Sequence, residues 1–424
     1  MDYKITGYKP EKLFHFFEEI SAIPRGSGNE KEISDYLVKF AKDRNLWVYQ
    51  DEAHNVIIKK DGSEGAKDKD PVMLQGHIDM VCDKLAGVEH DFEKDGIDLV
   101  VKDGVLSANG TTLGADNGVA VALMMMVLDD DEIKHPPVEC VFTTEEEVGL
   151  NGAQVLDKSL ITARTMINMD SEEEGVATIS CAGGLRIQFT RPVKREAAEG
   201  SLVSIKIKGL LGGHSGMDIS KERQNANLLM ARVVDHLMKN TDGKLVNFAG
   251  GTKDNAITRE CEASLIYADK AEADKAEKLA CALAEVLGDE ITPDEPDFAC
   301  EISAEEGRTA SALPADDAKA FISAIRLAPN GVFSRNMKMD GFVVTSSNMG
   351  VVKADEDCLL IVVSPRSSVA SLQENTKGRF QTLADAFGFE AEYSGEYPGW
   401  SFAEKSRVRE VFVESYRELF RKEL

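Results

Sequence analysis

No two of the seven cysteines (Cys82, Cys140, Cys181, Cys261, Cys281, Cys300, Cys358) form a Cys-x-x-Cys pair. That absence argues against a disulfide framework and a thiolate zinc site, and it fits a reducing compartment. Positive charge is scarce: 49 lysines and arginines face 74 aspartates and glutamates, a net of −25. Such a field repels phosphate backbones and anionic lipid surfaces, so neither nucleic acid nor a membrane is an expected partner. No run approaches the roughly 18 apolar residues that span a bilayer. The opening MDYKITGYKPEKLF also lacks the apolar core of a secretory signal. The cytoplasm is the expected location. There is no low-complexity tract, and 43% hydrophobic with 29% charged residues describes a chain folded throughout. Its 424 residues exceed one ordinary domain and suggest two or three units.

What is present is first a rhythm. Leu13, Phe16, Phe17, Ile20 and then Ile33, Tyr36, Leu37, Phe40 recur at helical spacing. Strands are expected at Asn55–Lys59, Val72–Leu74, Val138–Phe142 and Thr165–Met169, with a buried helix at Val119–Leu128. This alternation predicts an α/β sheet. Past Gly184 the pattern changes to strands at Leu202–Ile207 and Ala263–Tyr267 with helices at Asn225–Met238 and Ala273–Leu287. A similar series follows, with helices at Ala315–Ile325 and Ser371–Phe387 and strands at Phe342–Val344 and Cys358–Val363. Residues 185–395 are therefore expected to form an inserted α+β domain, with two related halves as one option. Residues 1–184 and 396–424 make up the first domain, to which the amphipathic stretch Ser406–Lys422 returns.

Four polar clusters fall at strand ends or a loop-to-helix junction: Gln75–Asp79, Gly114–Gly118, Thr144–Gly149 and Asn168–Asp170. In an open α/β sheet ligands bind at the carboxyl ends of strands, so these separate segments can converge. One histidine with several carboxylates is a donor set suited to Zn²⁺, Mn²⁺ or Co²⁺. Two nearby cations repel unless an anion lies between them, and a carboxylate such as Asp116 can bridge both. Each cluster also has a plain reading: His-x-Asp as a surface turn, Gly-Ala-Asp-Asn-Gly as a helix cap, the triple Glu as a solvated loop, Asp170 as a strand end. Their common placement in one α/β segment favours the joint reading.

GHIDMV, GADNGVA, TTEEEVGLNGA and INMDSEEEG match, in order and spacing, the metal-site motifs of the M20 metallopeptidases, which the chain resembles over nearly its whole length. CAGGL, GGHSG, GGTKDNAITRE and Tyr397-Pro398-Gly399-Trp400 look like the aminoacyl-histidine dipeptidase branch. The resemblance implies a zinc-peptidase-like α/β catalytic domain, its mostly parallel or mixed sheet flanked by helices, with an inserted α+β lid. It implies two zinc ions, with manganese or cobalt as alternatives: His77 and Asp170 on one, Glu147 on the other, Asp116 bridging. It makes Glu146 the general base and leaves Glu145 a neighbour. Asp79, grouped with Glu146 as catalytic, orients the His77 imidazole. A dipeptide such as Xaa-His is the implied substrate: Glu146 takes a proton from the attacking water and returns it to the leaving amine. His214, Asn255 and Arg366 are implied substrate contacts, the guanidinium suiting a free carboxylate. His15, His54, His90, His135 and His236 match nothing.

One feature departs from the pattern. The family completes its second metal with a histidine in a C-terminal His-Ala-Gly-Leu-Glu-Cys-Gly run, and this sequence has no histidine after His236. A truncated chain of impaired activity, with a sheet edge left open, is the expectation. An N-acyl amino acid amidase and a non-catalytic, metal-anchored peptide binder are the competing readings. The chain is expected to be a monomer or a homodimer.

Overall fold

A computed structural model describes residues 3–171, 173–339 and 341–424. The chain divides into two compact units, Met1–Thr178 with Ser406–Leu424, and Ile179–Lys405. The boundaries expected from the sequence, 184/185 and 395/396, lie within ten residues of these, and Cys181 and Trp400 pair backbone to backbone inside the second unit.

Unit 1 contains helices α1 (Glu11–Ser21), α2 (Lys31–Asp43), α3 (Ala115–Asp129) and α4 (Asn151–Val155). Its strands are β1 (Trp47–Gln50), β2 (Val56–Lys60), β3 (Val72–His77), β4 (Leu99–Lys102), β5 (Val105–Ala108), β6 (Val138–Thr143) and β7 (Thr165–Asn168). A mixed five-stranded sheet runs β1-β2-β6-β3-β7, and β4-β5 is a separate hairpin. Alternation places Val56, Ile58, Cys140 and Phe142 on the face covered by α1, α2 and α3, and Ile57 and Val141 on the other. β3, β6 and β7 are parallel, with His77 opposite Thr143 and Gln75 opposite Asn168. Their carboxyl ends therefore lie side by side, which aligns three of the four polar clusters. The fourth opens α3, the crossover between β3 and β6. Helix Arg407–Phe420 buries none of its residues and leaves Val411, Phe412, Leu419 and Phe420 exposed.

Glu139 secures the approach to β7. Its buried carboxylate accepts from Lys59 Nζ (2.8 Å), the Thr162 hydroxyl (2.8 Å), and the backbone N–H groups of Thr162 (2.9 Å) and Ala163 (3.0 Å). Burial pushes its pKa up, but these donors outweigh burial and hold it below the ordinary value. A depressed folded pKa contributes stability above the unfolded pKa, and that stability is lost as pH falls through the folded one. Glu139→Gln is expected to cost about 1–3 kcal/mol near neutrality. Urea melts of the two proteins should converge as the pH is lowered through the carboxylate range; a pH-independent gap would contradict this.

Unit 2 comprises β8 (Gly183–Pro192), β9 (Glu196–Lys208), β10 (Gly213–His214), α5 (Ala226–Asn240), β11 (Lys244–Gly250), β12 (Ala256–Ile257), β13 (Cys261–Tyr267), α6 (Lys270–Ile291) and β14 (Ala299–Ala312). It continues with α7 (Ala315–Leu327), β15 (Gly331–Arg335), β16 (Val343–Ala354), β17 (Cys358–Ser367), α8 (Ala370–Phe387) and β18 (Glu390–Tyr397). One sheet runs β14-β9-β13-β11-β16-β17-β8-β18, with β15 beside β16. The antiparallel contact of β11 with β16 at Ala249–Lys353 joins a four-stranded half to a five-stranded one that includes β15. The core includes Val203, Ile205, Phe248, Leu265, Phe321, Ile361 and Phe380.

Candidate metal centre

His77 ends β3, and its ring is 1% exposed. Its Nδ1 lies 3.3 Å from Asp79 Oδ1 and 3.1 Å from the Asp79 carbonyl. A proton on Nδ1 satisfies both acceptors and leaves Nε2 as the donor atom for a cation. Nε2 faces Asp116 Oδ1 at 3.1 Å and Asp170 Oδ1 at 3.8 Å. Asp79 does a second job that its spacing from His77 does not announce. Fully buried, it accepts from the backbone N–H groups of Glu146 (3.1 Å) and Glu147 (3.3 Å) and from the Ser27 hydroxyl (2.8 Å). One carboxylate thus ties the end of β3 to the loop after β6.

That loop separates the three consecutive glutamates. Glu145 takes a left-handed φ of 49°. Its N–H donates to buried Glu30 (3.1 Å), and its carboxylate accepts from Asn151 Nδ2 (2.9 Å). Glu146 and Glu147 instead bring carboxylate oxygens within 4.8 Å of a His77 nitrogen, and His77, Asp116 and Asp170 gather within the same separation. Asp116 sits in the first turn of α3 with non-helical backbone angles (φ −79°, ψ 111°). Asp170 follows β7.

The charges of this cluster act on one another. Burial opposes charge on His77, yet the hydrogen bond to Asp79 and the charges of Asp79, Asp170 and Glu146 hold its pKa up at about 9. Burial raises the pKa of Glu146, as do Asp170, Glu147 and Asp79, while His77 works against them. Burial raises that of Glu147 too, followed by the charge of Asp116. Carboxylates crowded so that burial and their neighbours' charges oppose ionisation of Glu146 and Glu147, around an imidazole whose charged form they stabilise, concentrate negative charge that a cation relieves. They are also the donors zinc takes. The residues present fit a divalent metal.

Within unit 2, His214 pairs with Ala256 across β10 and β12. Its Nδ1 accepts from the N–H groups of Gly216 (3.2 Å) and Met217 (3.1 Å), which assigns the ring proton to Nε2. The Asn255 carbonyl holds the Ser215 N–H at 2.9 Å. Arg366, on β17, donates Nη1 to the Tyr397 hydroxyl (2.7 Å), and its buried Nε has no hydrogen-bond partner among the described residues. A Cβ on Gly216 would fall 3.2 Å from His214 Cε1 and 3.5 Å from Arg366 Cζ, so these two side chains are neighbours.

The peptidase dimerisation domain of M20 peptidases matches residues 205–295, and peptidase family M28 matches residues 55–205. The cytosol non-specific dipeptidase of Escherichia coli (strain K12) is 35% identical over 422 residues, 99% of this chain and 86% of that protein. The crystal structure of aminoacylhistidine dipeptidase from Vibrio alginolyticus superposes with a TM-score of 0.93 at 35% identity, covering 100% of this chain and 86% of that one. The chain belongs to the M20 metallopeptidase family. It is a metallo-dipeptidase, a hydrolase, and no described helix of this M20 protein is long and apolar enough to cross a membrane.

Several residues that shape this M20 chain's polar sites gave no signal in its sequence. Glu30 fixes Glu145, as above. Arg25, 1% exposed, lies beneath the His77 and Asp116 loops. Glu295 is fully buried and clamps both ends of the His214 loop, accepting from the N–H groups of Leu211 (2.6 Å) and Gln224 (3.0 Å). Each acts on backbone far away in sequence, so no local motif marks it. Tyr397 was legible only as part of a motif, without its contact to Arg366.

Proposed function

We propose that this M20 protein hydrolyses dipeptides with a free carboxylate, Xaa-His among them, in the cytoplasm. What supports the reading is the gathering of His77, Asp116 and Asp170 beside Glu146 and Glu147 in a chain related to dipeptidases over nearly all its length. His77, Asp116, Asp170 and Glu147 would hold two divalent cations, zinc first and manganese or cobalt next, which supply Lewis-acid polarisation of the scissile carbonyl. Asp79 keeps the His77 proton on Nδ1. Glu146, with its raised pKa, takes a proton from the attacking water and delivers it to the leaving amine. In unit 2, the Nε2–H of His214 suits an oxyanion, Arg366 suits the substrate carboxylate, and Asn255 holds the loop that carries His214.

Substrate class is decided by comparing turnover of β-alanyl-histidine, other dipeptides and N-acetyl amino acids at saturating Zn²⁺. Dipeptide hydrolysis is expected; cleavage of the N-acetyl compounds alone would move the protein to the amidases. Arg366→Met is expected to lower kcat/KM roughly 10–100-fold, mostly through KM, for dipeptides with a free carboxylate. It should leave a carboxyl-amidated dipeptide unaffected. Equal losses on both substrates would remove Arg366 from carboxylate recognition.

A further inference from the structure

Arg25 lies in the segment between α1 and α2, in the core of unit 1, with 1% of its surface exposed. Its Nη1 donates to the carbonyls of Ile78 (3.1 Å) and Asp79 (3.3 Å), and its Nη2 donates to the Gly114 carbonyl. The first two carbonyls belong to the His77 loop; the third lies just ahead of Asp116. Two glycines make room for the guanidinium. A Cβ on Gly114 would stand 2.5 Å from Nη2, and one on Gly118 would stand 2.7 Å from it. The Gly-Ala-Asp-Asn-Gly cluster therefore carries both a candidate ligand and the space for a cation beneath it. The backbone of Arg25 joins in, its carbonyl accepting from Met80 N–H at 3.1 Å.

Burial works against the charge of Arg25, the carboxylates of Asp79 and Asp116 support it only from beyond hydrogen-bond reach, and its hydrogen bonds go to neutral carbonyls, so an aliphatic side chain would fill the same core more cheaply. What an aliphatic chain cannot do is hold two separate loops at a fixed separation. A planar fork with several donors can. We propose that Arg25 is a positioning residue of the metal centre: its guanidinium sets the distance between the His77–Asp79 loop and the Asp116 turn, and so the distance between two candidate ligands. It touches neither metal nor substrate. The inference rests on the metal-centre reading above.

Charge and geometry predict opposite outcomes for removing it. If Arg25 acted chiefly by its positive charge, its loss would remove a repulsion and tighten metal binding. If it acts by holding the loops, its loss loosens the ligand set and weakens binding, by roughly 10–100-fold for a residue one shell out from a metal. The test is a chelator-competition titration of Zn²⁺ into the full 424-residue chain, alongside the visible spectrum of the Co²⁺-loaded protein, which reports coordination geometry. Arg25→Met is expected to weaken Zn²⁺ binding at least tenfold and to alter the Co²⁺ spectrum. Arg25→Lys keeps the charge but has no fork to span both loops, and it is expected not to restore affinity. Gly118→Ala pushes the guanidinium off Gly114 without changing any charge, is expected to act in the same direction, and decides the matter should Arg25→Met fail to fold. Leu37→Ala, a core truncation in α2, controls for general destabilisation and should leave affinity and spectrum unchanged. Folded Arg25→Met or Gly118→Ala protein that binds Zn²⁺ as tightly as wild type, or more tightly, overturns the proposal. Wild-type chain that takes up no metal instead overturns the metal-centre reading itself.

Discussion

Glu146→Gln is expected to lower kcat roughly 10²–10⁴-fold while metal content and KM stay close to wild type. Glutamine matches glutamate in shape, so the backbone bond from Glu146 N–H to Asp79 Oδ1 (3.1 Å) survives. What is lost is the capacity to take a proton and return it. The loop supplies the reason to single out this member of the run: Glu145 is occupied with Asn151, whereas Glu146 lies within reach of His77 and has a carboxyl pKa raised by burial and by Asp170 and Glu147. A carboxylate with a raised pKa takes the proton of the attacking water more readily than an ordinary one. Steady-state kinetics paired with elemental analysis of the same samples checks the prediction. A variant within tenfold of wild type would move the base elsewhere, Glu147 being the next candidate.

Asp116→Ala should have the largest effect on metal binding. Its Oδ1 stands 3.1 Å from His77 Nε2, and its charge raises the pKa of Glu147. It therefore acts on both sides of the candidate pair. Loss of such a carboxylate should weaken uptake of both cations by more than the roughly 10–100-fold typical of residues one shell out. The side chain is 48% exposed. Folding stability should then stay within about 0.5 kcal/mol, as for surface substitutions. Equilibrium dialysis against Zn²⁺ together with a urea melt separates the two effects. Full retention of both metals would remove Asp116 from the bridging role.

Much of unit 1 was legible because its signals are local. Strand-end clusters in a parallel α/β segment must share one edge of the sheet, and β3, β6 and β7 align His77, Thr143 and Asn168 as that logic requires. The triple glutamate could be sorted only by analogy to the family; the left-handed Glu145 and its bond to Asn151 give the physical ground. Unit 2 was less legible. β14, Ala299–Ala312, is mostly exposed along its length and has no alternation to betray it. β16 extends to Ala354, well past the expected strand end at Val344, because Ser346, Ser347 and Asn348 are buried polar residues that break the apolar pattern. β8 and β18 went unnoticed, although they pair with each other beside β17. Arg25, Glu30 and Glu295 were illegible for a common reason: each is a buried charge whose partners are backbone atoms distant in sequence.

The most direct measurement is a metal titration of the 424-residue chain followed by anomalous diffraction at the zinc edge. Two zinc positions between β3, β6, β7 and the start of α3 are predicted, one bound by His77 and Asp170, the other by Glu147, with Asp116 touching both. Zinc bound elsewhere, or none at millimolar concentration, would contradict the account.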